Sequence, residues 1–107
     1  MMDERSPEVV LAHAPLVNVL GLHARASLKL TQLARDLGAS VEIALSADGP
    51  WVDARSPSRL MRIGARRGAV LHIRASGSDA EVAVDAVLAL VRDGFGEWPT
   101  AGAVSGA

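Results

Sequence analysis

Gly21-Leu22-His23-Ala24-Arg25-Ala26-Ser27 divides a short apolar run from a segment with helical spacing. Downstream, Leu30, Leu33, Ala34 and Leu37 fall on one face of a 3.6-residue repeat. That spacing predicts a helix over residues 24–37, with Gly38 as its C-terminal cap. His23 then stands where the helix begins. The first N–H groups of a helix have no partner within it, and they favour an anion. Arg25 adds a planar, permanently charged fork two residues beyond the imidazole. A nucleophilic ring nitrogen, unpaired amides and a guanidinium suffice chemically to carry a labile phosphoryl group. The same spacing also fits a surface histidine or a local cap, and nothing in the composition names phosphate.

The chain has 107 residues, which predicts one small domain with one modest core. Half of the residues are apolar, yet there is one Phe, two Trp and no Tyr. The core must therefore rest on Leu, Val, Ile and Ala. A formal net charge of -1 gives no reason to expect a nucleic-acid partner or an anionic membrane. No apolar run has the length of a bilayer span, so no membrane insertion is expected. The start is polar and carries Asp3 and Glu4, unlike a secretory signal. With no cysteine, disulfides and cysteine-based metal sites are excluded, and a cytoplasmic location is expected. Residues 1–8 read as a flexible N-terminal segment, 9–97 as the domain, and 98–107 as a flexible tail.

Along the domain, Val9 to Ala14 alternates as a first strand, with either face able to be the buried one. Val41, Ile43 and Leu45 alternate with Glu42, Ala44 and Ser46, a half-buried strand. Asp48-Gly49-Pro50 turns the chain into a short strand, Trp51-Val52-Asp53-Ala54, giving an antiparallel hairpin. Ser56 and Pro57 suit the N-cap and first position of a short helix ended by Gly64. Arg66-Arg67-Gly68 is a basic turn. Leu71, Ile73 and Ala75 alternate with Val70, His72 and Arg74 in a further strand. Ser78 and Glu81 form a capping-box pattern before the stripe of Val84, Val87, Leu88 and Val91. Phe95 is placed to pack the end of that helix. His13 is the nearest competitor of His23 for chemistry but stands on a strand, not at a helix start. His72 reads as a sheet-surface residue with no nearby cysteine or carboxylate pattern to argue for metal.

The stretch at His23 resembles the active-site signature of the histidine phosphocarrier (HPr) family of the bacterial phosphotransferase system, nitrogen-branch relatives included. Ala54-Arg55-Ser56 through Leu60-Met61 to Ile63-Gly64 resembles that family's central serine segment, and Gly77-Ser78-Asp79 its last strand-to-helix junction. The resemblance implies an α/β (α+β) open-faced sandwich, a four-stranded antiparallel sheet with three helices on one side, in the order βαββαβα. It implies that His23 accepts a phosphoryl group on Nδ1, that Arg25 steadies it, and that Asn18 orients the surroundings. The donor would be an enzyme I-type protein and the acceptors enzyme IIA-type proteins, serving sugar uptake or regulation. No cofactor and no metal on this chain are implied. Ser56 would be a regulatory site for a serine kinase/phosphorylase. Leu22, Leu60 and Met61 are read as the apolar part of a docking face, with core packing the alternative for each. The sequence departs from the family at Ala26, where proline is usual, and at Pro57-Ser58, where apolar residues are frequent. A non-catalytic regulatory binding module retaining the fold is the competing reading, and an adaptor organised through Arg66-Arg67 a third.

Overall fold

Alternating apolar residues in four short segments demand a common face to bury them. They find it in one antiparallel sheet. The computed structural model describes residues 9–97; the two segments read as flexible ends, 1–8 and 98–107 with Trp98, lie outside the described residues. In chain order the elements are β1 (Val9–Pro15), α1 (Ala24–Asp36), β2 (Ser40–Ala44), β3 (Val52–Asp53), α2 (Pro57–Ile63), β4 (Val70–Ser76) and α3 (Ala80–Arg92), then a 3-10 turn at Gly94–Gly96. The strand order is β1-β4-β2-β3, so β4 lies between the first two strands of the chain.

The register explains which face is buried. Val10 pairs with Ala75, Ala12 with Ile73 and Ala14 with Leu71 across β1 and β4. On the other side of β4, Val41 pairs with Ala75 and Ile43 with Ile73. Side chains opposite each other on paired strands share a face. That face meets Leu30 and Ala34 of α1, Leu60 of α2, and Ala83, Val84, Val87 and Val91 of α3, all buried in one cluster. Alanines at Ala26, Ala34, Ala80 and Ala83 are also buried, so the core uses small residues where few aromatics are available. The three helices cover one side of the sheet. The opposite side carries Leu11, His13 and Val70 outward.

Several local expectations change. α1 ends at Asp36, and its C-cap is Leu37 in extended conformation, not Gly38. Gly38 lies beside the end of the Asp79 side chain and is not in the left-handed region. β2 stops at buried Ala44, leaving Leu45 exposed. Only Val52 and Asp53 of the expected four-residue strand are assigned to β3, although the Ala54 amide still donates to the Val41 carbonyl at 2.9 Å. The capping box is not formed. Asp79, not Ser78, is the N-cap of α3, with no side-chain capping bond. Gly77 turns the chain at φ +115, and Ala80 N–H donates to the Gly77 carbonyl at 3.3 Å. Ser78 therefore sits inside the turn, ahead of the helical amides it was expected to cap. By contrast, Ser56 accepts from Arg59 N–H, Pro57 opens α2, and Gly64 closes it in the left-handed region.

Phe95 carries the end of the fold. It is completely buried yet holds φ 58, an uncommon value for a residue with a side chain. Burying the ring offsets that strain. Replacing Phe95 with Ala should lower unfolding free energy by about 3–5 kcal/mol, read from urea unfolding of the full chain.

Candidate functional site

The path from β1 to α1 is a tight loop tied by its own backbone. Leu16 N–H donates to the Ala69 carbonyl, Gly21 N–H to the Asn18 carbonyl at 3.1 Å, and Leu22 N–H to the Ala65 carbonyl at 3.0 Å. Gly21 holds φ +62, and a Cβ there would collide with the Ala65 carbonyl oxygen. Only glycine meets both demands. The next residues deliver His23 as the N-cap of α1, in extended conformation, with its carbonyl accepting from Ser27 N–H at 2.8 Å. His23 makes no side-chain capping bond, and the first turn of α1 holds no acidic residue. The amides of Ala24, Arg25 and Ala26 precede that first intrahelical bond, so the helix presents its positive end beside the ring.

Glu97 meets this imidazole from the other end of the domain. Its carboxylate Oε2 contacts His23 Nε2, and its Oε1 accepts from Asn18 Nδ2 at 3.0 Å. Asn18 is fully buried and also donates to the Gly21 carbonyl at 2.7 Å; its Oδ1 has no partner among the described residues. Burial works against ionising Glu97. The hydrogen bonds from Asn18 and His23, with the charges of His23 and Lys29, outweigh it and hold the carboxyl below the ordinary glutamate value. An ionised carboxylate only accepts, so the proton in the His23 contact resides on Nε2. In the neutral ring the lone pair is then on Nδ1. The ring remains reachable, with the side chains of His23 and Glu97 25% and 20% exposed.

Glu97 reaches this place because the chain turns after α3. Gly96 N–H donates to the Asp93 carbonyl and Glu97 N–H to the Gly94 carbonyl at 3.0 Å. Lys29 Nζ donates to the Phe95 carbonyl at 2.6 Å and so ties this turn to α1. Val19, Leu20, His23, Arg25, Lys29 and Glu97 line an open depression of about 710 Å³. Glu97 went unnoticed in the sequence because it lies 74 residues from His23 and belongs to no local motif. Val19 and Leu20 also escaped notice. They are 52% and 67% exposed, two consecutive apolar residues in a loop that no core periodicity claims. That mismatch was the available signal.

The remaining named residues divide. Leu22 and Leu60 are 3% and 0% exposed and pack in the core, so they offer a partner no apolar surface. The helical stripe explains Leu60; the Ala65 bond that draws the chain inward explains Leu22. Met61, one position further around α2, is 42% exposed. Ser56 is half-buried, with Oγ 3.4 Å from Arg59 N. The Arg55 amide, then its guanidinium, hold the Asp53 carboxyl below its ordinary value. Among the described residues, no group of three or more His, Cys, Asp or Glu is arranged to hold a metal. No described helix is long and apolar enough to cross a membrane.

Comparison with known proteins fits this geometry. An HPr from Thermoanaerobacter tengcongensis superposes with a TM-score of 0.75 at 30% identity, covering 82% of this chain and 97% of that one. A phosphocarrier protein HPr from Bacillus anthracis gives 0.70 at 31% identity, covering 78% and 96%. A family model described as "PTS HPr component phosphorylation site" matches residues 12–93. The phosphocarrier protein HPr of Cupriavidus necator is 44% identical over 82 residues, 77% of this chain and 90% of the relative. The phosphocarrier protein NPr of Proteus mirabilis is 34% identical over 80 residues, 75% and 88%. This chain belongs to the HPr family of phosphotransferase-system phosphocarriers.

Two measurements follow from the site. Gly21→Ala should cost about 1–3 kcal/mol in urea unfolding, because the left-handed backbone is strained and the carbonyl of Ala65 is in the way. Glu97 has a lowered folded-state value, so its contribution is complete above the unfolded value near 4.5 and disappears as pH falls through the lower folded one. Glu97→Gln should flatten stability in that acidic window and cost at most about 1 kcal/mol at neutral pH. Unfolding curves across pH test the sign.

Proposed function

We propose that this chain takes a phosphoryl group onto His23 Nδ1 from an enzyme I-type donor and passes it to enzyme IIA-type proteins in the cytoplasm. The observation that carries this reading is the pairing of Nε2 with Glu97, beside Arg25 and the positive end of α1. Nδ1 attacks phosphorus as the donor's phosphorus–nitrogen bond breaks. Positive charge grows on the imidazole as the new bond forms, and the Glu97 carboxylate stabilises it through Nε2–H. Arg25 and the first amides of α1 face the phosphoryl oxygens, whose charge would otherwise be repelled by Glu97. In the second transfer an acceptor histidine attacks phosphorus, and the electron pair of the broken bond returns to Nδ1. The carrier is regenerated, which makes it a relay protein with a phosphohistidine intermediate.

The partners dock on the exposed apolar Val19 and Leu20 that line the depression, with exposed Met61 of α2 as a further apolar contact. Leu22 and Leu60 position these loops from within the core. Ala26, where the family usually has proline, is compatible with the same helical turn because alanine is the strongest helix former. Relatives named HPr and NPr support both a sugar-uptake acceptor and a nitrogen-branch regulatory acceptor. The deciding experiment incubates the chain with phosphoenolpyruvate, magnesium and enzyme I. Wild type should acquire one acid-labile phosphate, and His23→Ala none. Labelled carrier is then offered to IIA proteins of each branch. Binding without any transfer would favour a non-catalytic regulatory module.

Ser56 is proposed as a control point for a serine kinase/phosphorylase. A phosphate there adds about -2 charges at the start of α2, the helix that carries Met61, and alters the docking face. Kinase treatment should modify wild type but not Ser56→Ala. The modified form should accept phosphate from enzyme I at least tenfold more slowly, measured by quenched flow.

A further inference from the structure

On the sheet face turned away from the helices, two imidazoles stand side by side. His13 of β1 and His72 of β4 are direct antiparallel partners. Their ring centroids are 5.5 Å apart, with planes inclined at 45°. His13 is exposed and His72 half-buried. Neither ring is engaged by a hydrogen bond among the described residues, unlike His23. The pair lines one side of an indentation of about 360 Å³, shared with Leu11 and Trp51. The neighbouring cation, Arg74, is already compensated. It donates to Glu42 Oε1 at 2.9 and 2.8 Å and lies 4.3 Å from the centre of the Trp51 ring.

The separation of the rings has a chemical meaning. Zinc–imidazole bonds are about 2.0–2.1 Å, so two imidazoles at a tetrahedral angle hold their centroids about 5.2 Å apart. The observed centroid separation of 5.5 Å lies close to that value. The rigid β1–β4 ladder sets that spacing before any ion arrives, which reduces the ordering cost of binding. We propose that His13 and His72 form a two-imidazole site for a late first-row divalent cation, typified by Zn²⁺. Among the described residues no third His, Cys, Asp or Glu completes the group, so water fills the remaining positions. The site is thus open and reversible, unlike a closed structural zinc centre. Imidazole donors select Zn²⁺, Ni²⁺ or Cu²⁺ over Mg²⁺ and Ca²⁺, which prefer oxygen ligands.

The test is Zn²⁺ titration of the full chain by calorimetry, with amide NMR spectra recorded in parallel. One Zn²⁺ per chain is expected, with shifts centred on β1 and β4 around positions 13 and 72. His13→Ala or His72→Ala should weaken binding roughly 100-fold through loss of two-point attachment. His23→Ala should change it less than twofold, and millimolar Mg²⁺ should not compete. His13 is exposed on an edge strand, so its variant keeps the test valid if His72→Ala folds poorly. Wild-type affinity in His13→Ala, shifts centred on His23 and Glu97, or no Zn²⁺ binding by wild type would overturn the proposal.

Discussion

A carboxylate at residue 97 touching an imidazole at residue 23 is the contact on which the site depends. Its contribution to stability is modest, as for most partly exposed ion pairs. Its chemical effect is larger, because it decides which ring nitrogen carries the hydrogen. Much of the surrounding structure exists to bring these groups together. Phe95 buries its ring beneath the turn after α3, Lys29 holds that turn to α1, and Asn18 joins Glu97 to the Gly21 carbonyl. The start of the first helix and the end of the last become one site.

The sheet makes this possible by using only one face. With a single phenylalanine in the core, packing rests on branched aliphatics interleaved with alanines. Small residues let α3 lie close over the strands and against α1, and the loops at the helix ends inherit that packing. A site built on such loops keeps its geometry through the packing beneath it. The uncovered face is under no such demand, and its cross-strand histidines and Trp51 are free to serve a separate purpose.

Elements with a strong period were readable from the chain. Leu71, Ile73 and Ala75 announced β4, and Leu30 and Ala34 announced α1, because burial repeats at the spacing of the backbone. His23 was readable because a helix start is a local event. Ser78 misled because a good capping sequence was overridden by the turn at Gly77. Gly38 misled because the chain leaves α1 through Leu37 in extended conformation, so no left-handed cap forms at Gly38. Leu22 and Leu60 were ambiguous between core and docking face, and tertiary packing placed both inside. Glu97 was invisible: nothing near it in sequence records a partner 74 residues away.

The account turns on Glu97 occupying Nε2 and leaving Nδ1 open. The most direct measurement is nitrogen-15 spectroscopy of the His23 ring before and after phosphoryl transfer from enzyme I. The account predicts hydrogen on Nε2 in the neutral resting ring and phosphorus on Nδ1 after transfer. Phosphorus on Nε2, or a resting ring with its hydrogen on Nδ1, would contradict it.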